Sequence, residues 1–200
     1  MADYTKLEYI ESTGTQYIDT GFGTEHTIKL DIQFINNGAP QQLMGQGTSA
    51  GYYFGIKDSG YLENGKSDEF SYLGTERRTI NITCVDKNQV MTVGNETKIV
   101  GRGTSSASTF KLLGGIANYP CSAKLYSCQF YDDETIIRDF VPCKTADGEI
   151  GLWDTVEGKF YGNAGTGTFV AGPEVIVPVE PADPPNPTAM LMGYMVGQRT

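Results

Sequence analysis

From His26 to Phe34 the chain reads HTIKLDIQF, with Ile28, Leu30, Ile32 and Phe34 at alternate positions and Lys29, Asp31 and Gln33 between them. A period of two belongs to a strand with one face in a core and the other in water. In TINITCV the residues Ile80, Ile82 and Cys84 alternate in the same way with Asn81 and Thr83. The stretch Arg78 to Val100 predicts a three-strand meander turning at Asp86-Lys87-Asn88 and at Gly94-Asn95-Glu96. AKLYSCQFYDD and TIIRDFVPC predict a further pair across Asp132-Asp133-Glu134, and QQLMGQG, GYYFGIK and EFSYLG fit shorter strands. No stretch before Pro173 carries a helical period. About a dozen strands with one apolar face each imply an all-β body of two sheets packed face to face, a sandwich or jelly roll.

The pattern ends near residue 172. Six of the nine prolines fall between Pro173 and Pro187, in PEVIVPVEPADPPNP. That density favours an extended spacer and excludes helix, so residues 173–186 are expected to be a linker. Asn186-Pro187 then offers an N-cap followed by proline at the first helical position. Residues 187–200 predict a short helix whose apolar side chains go around it rather than down one side. A span of 13 residues, Pro187 to Arg199, is too short for a membrane and marginal alone in water. Leu191, Met192, Tyr194, Met195 and Val196 are therefore expected to be assembly residues, in a homo-oligomer (a trimer first) or against a larger partner. The competing expectation is a tail folded back on its own sandwich.

Composition narrows the function. The 25 glycines, 12 tyrosines and 9 phenylalanines suit short strands and tight turns. A net charge of -9 without a basic cluster disfavours nucleic acid as a partner. Cys84, Cys121, Cys128 and Cys143 form no CxxC pair and His26 is the single histidine, so no structural zinc site is expected. Cys128 stands in the apolar phase of its run, which suits free, buried thiols. The opening MADYTKLEYI has neither a basic start nor an apolar segment, and synthesis in a cytoplasm is expected.

Three pieces carry a resemblance: LEYIESTGTQYIDTGF (Leu7 to Phe22), the meander TINITCVDKNQVMTVGNETKIV, and KLYSCQFYDDETIIRDFVPCKTADGEIGLWDTVEGKFYGNAGTGTF (Lys124 to Phe169). Together they resemble the concanavalin A-like, laminin-G-like jelly-roll domains of structural proteins from bacteriophages and prophages of gut bacteria. The resemblance spans nearly all of residues 4 to 172. It implies a sandwich of twelve to fourteen antiparallel strands whose amino- and carboxy-terminal segments meet. GLWDT and GKFY would pair near an edge around Val156-Glu157-Gly158, with NAGTGTF as a glycine-rich return. Trp153 would be a core or edge aromatic.

Some members of that superfamily are glycosidases, which need two carboxylates across the scissile bond. Their ExDxE-type triplet is missing: Asp132-Asp133-Glu134 is contiguous and reads as a turn. His26, in phase with Ile28 and Leu30, is a poor general base for a serine or cysteine nucleophile. Gly101-Arg102-Gly103-Thr104 and Gly45-Gln46-Gly47-Thr48 are not followed by the GK[ST] of a phosphate loop. The chain is expected not to be an enzyme and to need no cofactor. For a sugar, aromatic faces with nearby amides and carboxylates are the usual recognition chemistry. Tyr52, Tyr53, Asp58, Tyr61, Asn64 and Tyr72 are the best such set. Calcium at Asp58, Glu63 and Asp68 is only a weak reading, and the lectin calcium pattern is not reproduced.

The sequence thus predicts a virion component: a jelly-roll domain (residues 1–172), displayed by a linker and fixed by a terminal helix to other virion proteins of capsid, tail or baseplate. Its ligand would be bacterial or mucin polysaccharide. The alternatives are a decoration domain that binds no glycan and a degenerate glycoside hydrolase.

Overall fold

The computed structural model describes residues 4–21, 23, 26–35, 41–45, 53–56, 61–64, 69–72, 75–85, 88–101, 109–114 and 121–176. They contain seventeen strands, and no helix occurs among the described residues. All strand pairs are antiparallel, and two sheets share one hydrophobic core, an arrangement consistent with a β-sandwich. The count exceeds the expected dozen because several strands are pieces of two or three residues.

The larger sheet grows from its longest strand, β13 (Cys121–Asp132). Along one edge β13 pairs with β4 (Thr27–Phe34), which leads outward to β9 (Arg77–Val85), β10 (Asn88–Val93) and β11 (Glu96–Gly101). Along its other edge β13 pairs first with β2 (Ile10–Gly14) and then with β14 (Thr135–Thr145). From β14 the sheet continues to β15 (Ile150–Asp154) and β16 (Lys159–Tyr161). The smaller sheet runs β3 (Ile18–Asp19), β12 (Lys111–Leu112), β5 (Gln41–Gly45), β6 (Tyr53–Ile56), β7 (Tyr61–Asn64), β8 (Glu69–Tyr72).

The predicted meander is present: Val93 faces Glu96 across a two-residue turn whose Gly94 has φ 59°. In the predicted Asp132–Glu134 hairpin, Asp132 faces Thr135, and Asp133 has φ 50°, a value that Asp tolerates better than most residues. Where β13 and β14 part, the chain ends fill the gap. β1 (Tyr4–Lys6) pairs with β14, and β17 (Val170–Ala171) pairs with the free edge of β2. A Leu7–Glu174 bridge and the bond from the Val175 amide to the Lys6 carbonyl extend this clasp. Backbone pairing therefore runs three residues into the segment expected to be linker. Residues 177–186 and the predicted helix, including Leu191, Met192, Tyr194, Met195 and Val196, lie outside the described residues.

Alternation places the core. Ile28, Leu30, Ile32 and Phe34 of β4, and Ile80 and Ile82 of β9, are buried against Leu43 and Met44 of β5 and Leu112 of β12. Each such side chain contributes about 1.5–3 kcal/mol by leaving water. Edge-to-face rings run through this layer: Phe110 to Phe130 at 6.1 Å, Phe130 to Phe140 at 6.0 Å, Phe140 to Tyr161 at 5.1 Å. Buried Gln41 stitches the sheets together, donating to the Ile35 carbonyl and accepting from the Ser122 amide. Cys121, Cys128 and Cys143 are free and buried, as Cys128's phase implies. The side chain of Cys84 is outside the described residues.

The glycine-rich return NAGTGTF straps the connection between β2 and β3. The amides of Ala164 and Thr166 donate to the carbonyls of Tyr17 and Thr15, and Gln16 Nε2 donates to the Thr168 carbonyl. Gly167 has φ 74°, the conformational freedom expected of it. Gly165 has a different reason: a Cβ there would strike the Thr15 carbonyl.

Candidate functional site

The sequence-predicted set falls on the smaller sheet. Tyr53 lies on β6, Tyr61 and Asn64 on β7, Tyr72 on β8, while Tyr52 and Asp58 are outside the described residues. Register brings Tyr61 opposite Tyr72, and Asn64 opposite Phe54. Tyr61 and Asn64 are an odd number of positions apart on one strand, so those positions do not share a face. His26, half-buried, precedes β4. Trp153 is an edge-region aromatic: half-buried, opposite Phe160 on β16 and stacked on Tyr4 at 5.0 Å.

A different constellation forms on the outer face of the larger sheet. The residues of β4 that alternate with its core positions, Lys29, Asp31 and Gln33, meet Arg77 and Thr79 of β9 and Lys124 and Ser127 of β13. The row Glu11–Lys124–Gln33–Arg77 crosses four neighbouring strands. Beside it β13 bulges: Leu125 faces Ile32, Ser127 faces Asp31, and Tyr126 is the extra residue. Leu125 and Cys128 are buried, and between them Tyr126 and Ser127 both stay out of the core.

The Tyr126 ring is held on several sides. Its hydroxyl donates to Gln33 Oε1 at 2.9 Å, and Gln33 Nε2 in turn donates to the Thr75 carbonyl at 2.8 Å. The Arg77 guanidinium lies 3.7 Å from the ring centroid, and Tyr9 packs against it at 5.3 Å. Lys124 covers Tyr9 at 4.5 Å. Arg77 also makes a two-pronged bond to Asp31, at 2.8 and 2.6 Å, with Glu8 at 4.0 Å. That bond raises the Arg77 pKa, and a hydrogen bond with Tyr9 raises that of Lys124. Burial raises the Tyr126 pKa. Both cations thus keep their charge, and each already has a partner. Further along, Lys29 covers Tyr131 at 4.2 Å, the Tyr131 hydroxyl donates to Gln129, and Gln129 donates to Asp139.

At the next corner Asp154 is wholly buried. Its Oδ1 accepts the amides of Asp139 and Val156, and its Oδ2 lies 2.9 Å from Arg138 Nε, a charge contact without hydrogen-bond alignment. Arg138 also reaches Glu157, whose pKa is lowered by the Tyr161 hydroxyl first and by the nearby cations. This carboxylate ties β14 to β15. Among the described residues, no three His, Cys, Asp or Glu side chains converge in a group that could hold a metal ion. No helix among them is long and apolar enough to cross a membrane.

Sequence reading missed Tyr9, Arg77 and Tyr126 because they come from three distant segments. One local signal was present: Leu125 and Cys128, both core, are three apart, which breaks the period of two and marks the bulge. Comparison with known proteins adds no assignment: no family model matches the chain, and no curated protein matches it.

Proposed function

We propose that this chain is a non-enzymatic structural component of a phage virion, a concanavalin A-like jelly roll that a proline-rich segment displays for attachment to host-surface glycans. The clasp is the observation that carries this reading. Segments 6–11 and 170–175 zip together, so the described chain reaches Ile176 beside its own amino-terminal strand, while the outer face around Tyr126 and Arg77 presents aromatic, amide and charged groups. Such a body suits tethering from one side, with each extended linker residue adding about 3.1 Å of reach. The apolar end at Leu191–Val196 serves assembly, where several weak contacts act together.

The carboxylates best defined here have structural work. Asp31 binds Arg77, Asp139 accepts from Gln129 and Thr155, and Asp154 braces two strands. Each is engaged as a hydrogen-bond acceptor rather than poised as a free acid or base, which supports a binding role over hydrolysis.

The test is a glycan array of bacterial and mucin oligosaccharides probed with the full chain, beside light scattering of a variant lacking residues 187–200. Retained array signal and a fall in mass to a folded monomer are expected. Flat signals would favour the decoration domain. Unchanged mass would remove the assembly role of the tail, and sustained release of reducing ends from polysaccharide would make the protein a hydrolase.

A further inference from the structure

We propose that the outer face of the larger sheet around the β13 bulge is a binding site for a neutral, polyhydroxylated chain. The inference rests on the attachment reading above and names the surface and ligand chemistry it would use. The bulge comes first. An extra residue in the middle of a central strand interrupts the ladder, and such bulges re-aim side chains near functional surfaces. Here it sets Tyr126 and Ser127 next to each other outside the core, where regular alternation would present only one.

The charges then narrow the ligand. Arg77 is tied to Asp31 by two bonds and Lys124 stands opposite Glu11 in the sheet register, so each cation of this row already has a carboxylate beside it and is a poor counter-ion for phosphate or carboxylate. The whole chain carries -9, which opposes an anionic polymer further. What the face offers is a rigid set of amide, hydroxyl and guanidinium edges around two tyrosines, donors and acceptors without net charge. Vicinal hydroxyls match that set, and because Arg77 and Lys124 lie over the Tyr126 and Tyr9 rings, the tyrosines offer edges and hydroxyls rather than a stacking face. The shape agrees: Gln33 to Lys29 spans about 13 Å along β4, an open sheet face suited to a chain laid across it rather than to a small ligand in a pocket. Tyr126 and Gln33 are already hydrogen-bonded to each other, so little ordering is left for binding to cost.

The array of neutral bacterial and mucin oligosaccharides, probed with full-length protein, tests this. Tyr126→Ala is expected to weaken binding of the best wild-type hit about tenfold, by loss of one aromatic contact and its hydrogen bonds. Thr79→Glu guards against misfolding of that variant. Thr79 is exposed and opposite Asp31, so the change leaves the core untouched but sets a second carboxylate beside Asp31 that competes for Arg77 and draws it from the Tyr126 ring, and a similar loss is expected. Ile99→Ser, on the far edge strand, should bind as wild type with an unchanged melting temperature. Binding should change less than about twofold from low to high salt, because no ion pair forms with the ligand. Wild-type affinity in both Tyr126→Ala and Thr79→Glu would overturn the site, and loss in Tyr61→Ala or Tyr72→Ala instead would move it to the smaller sheet. Strong suppression by salt would overturn the neutral ligand. A wild-type protein silent on the array would remove the attachment function itself and this site with it.

Discussion

Replacing Asp154 by alanine should unlock the corner between β14 and β15. The carboxylate is wholly buried, accepts the Asp139 amide at 3.1 Å and the Val156 amide at 3.0 Å, and faces Arg138 at 2.9 Å. Alanine leaves two backbone donors without their acceptor, each costing about 1–3 kcal/mol. Loss of a buried charge partner alone can cost about 3–5 kcal/mol, but Arg138 is 21% exposed and keeps Glu157 at 3.3 Å, so only a fraction applies. The low ends of these terms sum to about 3–4 kcal/mol. At about 2–4 °C per kcal/mol for a body of this size, the melting temperature should fall by about 10 °C. Asparagine keeps an acceptor for the two amides but loses the charge and turns an N–H donor towards the partly exposed Arg138, so Asp154→Asn should cost about 2 kcal/mol, less than alanine. Thermal unfolding followed by circular dichroism at neutral pH reads both. If the alanine variant melts within about 2 °C of wild type, or the two variants melt together, the carboxylate is not the brace described.

Three further outcomes follow from the same coordinates. Gly165→Ala forces a Cβ onto the Thr15 carbonyl and should destabilise by about 1–3 kcal/mol, with faster hydrogen exchange at the Ala164 and Thr166 amides. Burial pushes the Cys121 and Cys143 thiols up from about 9 to about 12 and raises Cys128 as well, so none of the three should react with a thiol reagent in the native protein at pH 8. Because the thiols ionise more readily when unfolded, their contribution is fully present below about pH 9 and is lost as pH rises towards 12, which an alkaline denaturation series measures. Tyr4→Ala uncovers the single tryptophan and should red-shift its emission and increase acrylamide quenching; an unchanged spectrum would mean that the stack is absent in solution.

The local elements were legible because their cause is local. A period of two in HTIKLDIQF or TINITC decides which side chains meet the core, and a pair such as Gly94-Asn95 closes its own hairpin. The same logic put Cys128 inside. The clasp of the two ends was expected only through resemblance, since pairing Leu7 with Glu174 depends on every strand between them.

Only the tertiary structure decided which polar residues share a surface. Alternation says that Asp31 points away from the core, but not that Arg77, 46 residues on, will hold it there. That contact exists because β4 and β9 are neighbours in one particular register, and a shift of one position would send either side chain to the other face. The tyrosines show the same limit: density in sequence singled out Tyr53, Tyr61 and Tyr72, whereas packing gathered Tyr9 and Tyr126 from two segments far apart in the chain. A strand's own pattern determines its inside and outside; what stands beside it is determined by the register of the whole sheet.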